Sequence, residues 1–207
     1  LERRYDIIDE LAKDFDISNV HNLTSYEAEN IFLEGTGSMI LDNKNKICYA
    51  ATSKRTNELA LNDFCKKLNY RSVLFHANQT VNGDRLLIYH TNVMMCIAEN
   101  FVIICLDSID CEIEKNNVIN TINKSKKEII EINEEQANNF AGNMLQIEGD
   151  EKYLVMSKSA YSSLSMQQIN KIETYCKILY SDLSTIENFG GGSARCMMAE
   201  IFLPLKK

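Results

Sequence analysis

Apolar and polar positions along this chain fall into blocks that repeat. Four segments share one layout, beginning at Glu34 ("EGTGSMILDNKNKICYAA"), His90 ("HTNVMMCIAENFVIICLDS"), Phe140 ("FAGNMLQIEGDEKYLVMS") and Gly191 ("GGSARCMMAEIFLP"). Each opens on a lead-in of polar or small residues, reaches a methionine (Met39, Met94, Met144, Met197) and runs on as an apolar strand. The first three then pass a turn signal, Asp42-Asn43-Lys44-Asn45, Glu99-Asn100 or Glu148-Gly149-Asp150, into a second strand. Between the hairpins lie helical patterns at Glu58–Leu68, Asn117–Ile122 and Gln167–Ile178, followed by the short strands "SVLFHA", "KEIIEI" and "KILYS". The unit is therefore hairpin, helix, strand. The methionines stand 55, 50 and 53 residues apart, a period that marks a propeller, solenoid or array of α/β units. A helix at Arg3–Phe15 and a strand-like "ISNVHNL" precede the first unit, and the last is expected to hold one strand only.

Composition narrows the class. With 207 residues and 45% hydrophobic content the chain can bury a full core, and 25% charged residues match an ordinary globular protein. A net charge of −7 argues against non-specific binding to nucleic acid or an anionic membrane, and no apolar run reaches membrane-spanning length. Seven cysteines without CxxC or zinc-type spacing point to reduced thiols, a cytoplasmic location and no metal. Cys48, Cys65, Cys96, Cys105 and Cys176 sit in apolar strands or helix faces and read as core. Cys111 lies in a polar turn and reads as inert.

Cys196 is different. Three of the 8 glycines and the single proline fall in the window 190–204 around it. Singly, Cys196, His90 and Glu34 each have an ordinary structural reading, as a core thiol, a strand-end histidine and a turn residue. Yet all three lie in lead-ins of the repeat, and a radial array brings equivalent lead-ins together at its axis. A thiol, an imidazole and a carboxylate meeting there form a nucleophilic-cysteine site. His90 suits general acid and base work, and Glu34 would orient it or hold a cationic or NH-rich substrate group. The glycines would let backbone approach a ligand beside the cysteine. Arg195 neighbours Cys196, although adjacent side chains on an extended strand point to opposite faces.

The segments "FLEGTGS", Arg55-Thr56, "YHTNVMM", "FAGNML" and "GGGSARCMMAEIFLP" resemble the amidinotransferase and arginine-deiminase superfamily, and within it most closely the CtlX-type citrulline-utilisation hydrolases. The resemblance runs in order from Leu1 to about Pro204. It implies a single pentein domain over residues 1–207, an α/β propeller of ββαβ-like repeats around a central axis. It also implies about one hundred further N-terminal residues, so that about four of five units are expected here. By resemblance Cys196 is the nucleophile, His90 the general acid and base, Glu34 the catalytic carboxylate, and Arg55 the anchor for the substrate's α-carboxylate. Asn92 stands where arginine deiminases place an Asp, and its neutral amide matches a ureido group. The expected function is hydrolysis of citrulline to ornithine, CO2 and ammonia through a carbamoyl-cysteine, without metal or cofactor. The alternatives are arginine deimination, amidino transfer to an amine, and a non-catalytic binding module of the same fold. The expected partner is a small amino acid, citrulline or arginine, and exposed strand edges leave a homo-oligomer open.

Overall fold

The structure, a computed structural model, describes residues 4–206. Helix α1 (Asp6–Asp14) occupies most of the expected N-terminal helix; Arg3, where that expectation starts, lies outside the described residues. A single helical turn, α2 (Gly35–Ser38), leads into the first sheet. There β1 (Ile40–Asp42) pairs antiparallel with β2 (Ile47–Ala51), α3 (Glu58–Leu68) crosses over, and β3 (Arg71–Phe75) joins β2 in parallel. A separate hairpin follows, β4 (Asn78–Val81) and β5 (Asp84–Leu87). The second sheet repeats the first: β6 (Met95–Ile97) antiparallel to β7 (Phe101–Ile104), then α4 (Glu112–Lys124), then β8 (Glu128–Glu131) parallel to β7. After α5 (Glu134–Asn138) come β9 (Leu145–Glu148) and β10 (Lys152–Ser157), helices α6 (Lys158–Ser163) and α7 (Met166–Glu173), and β11 (Lys177–Ser181) parallel to β10. Helix α8 (Ser184–Gly190) closes the series.

These elements follow from local chemistry. Strands β2 and β7 are buried at every position, as expected of a central strand covered on both faces. Helix α3 starts where the Asn57 side chain accepts the Leu59 N–H, and it carries Glu58 in its first turn and Lys66 and Lys67 in its last. It stops at Asn69, whose left-handed backbone (φ 57°) cannot continue it. Helices α5 and α7 begin with reciprocal caps, Asn133 with Gln136 and Ser165 with Gln168. The first strands of the three sheets lie side by side, β1 against β6 and β6 against β9. The molecule is thus an α/β array of three complete units and a partial fourth, which do not close a ring among the described residues.

Three sequence expectations need correction, and one hairpin lies outside them all. "ISNVHNL" forms no strand; a 3-10 turn, Thr24–Glu29, follows it. The pattern at Gln167–Ile178 breaks at Glu173, and its last two positions belong to β11. The stretch after Cys196 is not a ladder strand, because nothing among the described residues pairs with it beyond a bridge from Phe15 to Leu205. Ile201, Phe202 and Leu205 are exposed on it. Finally, β4 and β5 were not anticipated, although Asn82-Gly83 turns between them with positive φ at both residues, the strongest short hairpin signal. Met39, Met94 and Met144 are buried, whereas Met197 is half exposed. The five cysteines read as core are all buried and free. No described helix is long and apolar enough to cross a membrane.

A buried charge joins the first two units. The Lys127 ammonium donates to the carbonyls of Ala98 (2.8 Å) and Glu99 (2.6 Å) and lies 3.6 Å from the Asp42 carboxylate. Asp42 also accepts the backbone and side-chain N–H groups of Asn45. Both charges are almost fully enclosed, and burial lowers the Lys127 pKa against the pull of Asp42. Lys127→Met keeps most of the packing but strands Asp42 and two carbonyls, and is expected to cost about 3 kcal/mol of unfolding free energy by urea titration. The double variant with Asp42→Leu should recover a large part of that loss; an unchanged midpoint for Lys127→Met would remove the pair from any role in joining the units.

Candidate active site

Glu34 is placed by a small knot of hydrogen bonds at the start of α2. Its N–H reaches the Arg55 carbonyl (3.2 Å) and the Ser38 hydroxyl oxygen (3.0 Å), while that hydroxyl donates to the Arg55 carbonyl (2.7 Å). The same knot puts the two side chains together: an Arg55 N–H donates to Glu34 Oε2 at 3.3 Å. Arg55 also lies over the Tyr89 ring, 5.3 Å from its centre. Arg55 is thus half exposed at the rim, with one of its five donors committed to Glu34.

His90 precedes the 3-10 turn Thr91–Val93 that leads into β6. Its Nε2 donates to Glu34 Oε2 at 2.8 Å, and the ring is largely enclosed. The imidazole rests directly on the backbone of Gly37. A Cβ at that position would stand 2.8 Å from both Nδ1 and Cε1, so glycine is what allows the ring to lie there. Behind it, the Ser53 hydroxyl donates to the Tyr89 carbonyl (2.7 Å). Thr91 is fully buried; its hydroxyl donates to the Ser38 carbonyl (2.6 Å) and accepts the Ala51 N–H (2.8 Å).

Cys196 sits in the 3-10 turn Ala194–Met197, packed beside β10. It is exposed, and two amide groups point at its sulfur: Asn92 Nδ2 at 3.5 Å and Asn143 Nδ2 at 3.2 Å. The Arg195 side chain turns away, buried against Glu200 (2.8 Å) and the Met198 carbonyl. Gly191 ends α8 with a left-handed backbone (φ 68°), and the chain then folds Gly192 against the cysteine itself; in the structure these glycines shape the cysteine loop. The loop is fastened by Ser193, whose hydroxyl donates to the buried Glu187 (2.7 Å), and by the Tyr89 phenol, which donates to the Gly191 carbonyl (3.0 Å). Burial and the nearby Cys196 raise the Tyr89 pKa, which keeps it a donor. Burial pushes Cys96 up to about 12 and raises Cys105 and Cys176, so these stay protonated.

The structure therefore ties Glu34 to His90 and Arg55, and Cys196 to Asn92, which stands two residues after His90. Asn143 was missed. Its signal was present, since it directly precedes Met144 as Cys196 directly precedes Met197. Asn92 is buried, and its Oδ1 has no hydrogen-bond partner. No group of three potential metal ligands occurs among the described residues. A cavity of about 1030 Å³ opens at the far ends of β1, β6 and β9, lined by Leu41, Ile97, Gln146 and Phe202 among others, but Glu34, His90 and Cys196 do not line it.

The fold has known counterparts. The N-terminal domain of ArgZ, an arginine dihydrolase from the ornithine–ammonia cycle in cyanobacteria, superposes with a TM-score of 0.66 at 19% identity, over 85% of this chain and 59% of that domain. Full-length ArgZ gives 0.63 at 19% identity, over 82% of this chain and 23% of that one. The agmatine deiminase of C. jejuni gives 0.52 at 13% identity, over 85% and 58%. This chain thus spans about a quarter of full-length ArgZ and under three fifths of the two shorter structures. No curated protein sequence matches it. One family model does, that of the eukaryotic N,N dimethylarginine dimethylhydrolases, along residues 1–203. With nearly its whole length matched, the chain belongs to the N,N dimethylarginine dimethylhydrolase family.

Proposed function

We propose that this site hydrolyses a C–N bond at the central carbon of a ureido or guanidino amino acid, through a covalent adduct on Cys196. The observation that carries the reading is that His90 bonds Glu34 at 2.8 Å while Asn92, two residues further on, reaches the Cys196 sulfur at 3.5 Å, so that one segment touches both other lead-ins. In this reading the Cys196 thiolate attacks the central carbon, and His90 delivers a proton to the departing nitrogen. A water that gives its proton to His90 then cleaves the thioester-like adduct and regenerates the thiolate. Glu34 fixes the imidazole through Oε2 and keeps Oε1 for a substrate N–H. Arg55 takes the α-carboxylate at the rim with its remaining donors.

Within that class the favoured substrate is citrulline. The buried Asn92 Oδ1 needs a donor, because leaving it unpaired costs about 1–3 kcal/mol. A ureido NH2 supplies one without a charge. The Glu34 carboxylate already faces His90 and Arg55, so little of its field is left for a cationic head group. Attack on citrulline would expel ornithine and leave a carbamoyl-cysteine, whose hydrolysis gives carbamate and then CO2 and ammonia. The second reading is a guanidinium substrate, favoured by the family to which the chain belongs.

Incubation with citrulline, arginine and dimethylarginine, with ornithine, citrulline and ammonia measured, separates these. Ornithine from citrulline with wild type and none with Cys196→Ala is expected. Turnover of the guanidino compounds alone would replace citrulline as the substrate, and no product from any of the three with folded protein would reject catalysis by this chain. Asn92→Asp should shift the ratio of kcat/KM values toward arginine by about tenfold, because a carboxylate attracts a cation where the amide does not. Gly37→Ala should lower kcat by about 100-fold through displacement of His90, with a stability loss of about 1–3 kcal/mol. Unchanged turnover in Gly37→Ala would mean that His90 needs no fixed seat.

A further inference from the structure

We propose that Asn143 stabilises the Cys196 thiolate and sets its position, a role that rests on the reading of Cys196 as nucleophile. The Asn143 side chain is buried and makes three contacts that use both of its N–H donors and its oxygen. Its Nδ2 protons go to the Asn92 carbonyl at 3.0 Å and to the Cys196 sulfur at 3.2 Å, and its Oδ1 accepts the Arg195 N–H at 3.0 Å. This pattern fixes the orientation. Turned over, the amide would face oxygen to the Asn92 carbonyl and nitrogen to the Arg195 N–H, which is two repulsions in place of two bonds. One N–H is therefore held on the sulfur by groups that do not move with substrate.

A donor in that place acts on the ionisation of the thiol. Hydrogen bonds to an ionised partner are roughly twice as strong as neutral ones, so the N–H favours the thiolate over the thiol. No cation does this work from the neighbouring residue, because the Arg195 guanidinium is engaged with Glu200 and the Met198 carbonyl. The Asn92 amide at 3.5 Å adds a second donor, and Asn143 holds the backbone of that same residue. Asn143 thereby links the second lead-in, its own third lead-in and the cysteine turn. Its two roles can be told apart. A purely structural tie would change stability, whereas a donor to the thiolate changes how reactivity depends on pH.

The test uses the full chain in a Cys111→Ser background, because Cys111 is the other exposed cysteine and the remaining five are buried. Carbamidomethylation of Cys196 by iodoacetamide is followed by mass spectrometry from acid to alkaline pH, with circular dichroism melting beside it. Asn143→Ala is expected to slow alkylation at neutral pH by about tenfold, with the rate recovering at alkaline pH. Asn143→Asp keeps the shape and the acceptor for Arg195 but sets a carboxylate oxygen beside the sulfur, so its profile should move further toward high pH. Profiles that overlay the parent in both variants would overturn the proposal. So would equal slowing at every pH with loss of cooperative melting, which marks a structural tie only. If Cys196 of the parent reacts no faster than the cysteines of the urea-unfolded chain, the nucleophile reading fails, and this role with it; a reactive parent with unmoved variants sinks Asn143 alone.

Discussion

The site depends on a thread of buried polar groups that runs across the units. Ser38 bonds Glu34 and Arg55 on one side and, through its carbonyl, Thr91 on the other. Thr91 lies between His90 and Asn92 in sequence and also takes the N–H of Ala51 from β2. The Asn92 carbonyl accepts from Asn143, and Asn143 accepts from Arg195, next to Cys196. Each link is a directional bond with a named donor and acceptor, so the lead-ins cannot slide past one another as apolar faces can. Were any link replaced by an alkyl group, its buried partner would be left unpaired, and the register between two units would loosen with it.

The thread explains a division of labour. The sheets supply apolar bulk: β2 and β7 bury every residue, and the main core runs continuously beneath all three units. The side chains of the candidate site stand on the turns that lead into β1 and β6 and on the turn beside β10. Those turns gain their rigidity from one another. Loops carried by a rigid scaffold can vary their chemistry while the scaffold stays constant. Likenesses below 20% identity with TM-scores up to 0.66 fit that view, since apolar units tolerate exchange of residues that keep pattern and volume.

Much of this was legible in the sequence because the repeat has a marker. Met39, Met94 and Met144 each close a lead-in and are buried, so the spacing of a core residue gave the frame that places Glu34 and His90 in lead-ins, while Cys196 stands before the half-exposed Met197. Helix α3 was readable to the residue because its caps and its apolar face agree. The failures have physical causes. The run after Cys196 has a strand's composition, but a strand needs a ladder partner, and composition does not supply one. Gln167–Ile178 mixes a helical period with the first residues of β11, and a window across both averages them. Arg195 drew notice as a charge beside the thiol, yet its side chain is spent on Glu200. The donors that do reach the sulfur are two neutral amides distant in sequence, and nothing local to Cys196 points to them.

Arg55 shows how the two ends of the site could be coupled on the proposed reading. Its guanidinium touches Glu34, lies over Tyr89 and is half exposed, and Tyr89 in turn holds the Gly191 carbonyl of the cysteine loop. Exposed charges of this kind attract one another weakly while water surrounds them, and more strongly once a ligand displaces it. An arriving α-carboxylate competes with Glu34 for the same guanidinium. As the remaining donors of Arg55 take up that carboxylate, its hold on Glu34 weakens and Glu34 turns more fully to His90. Recognition of the amino-acid end and preparation of the reacting end are then one rearrangement, and a compound with a ureido group but no carboxylate would leave Glu34 still shared with Arg55.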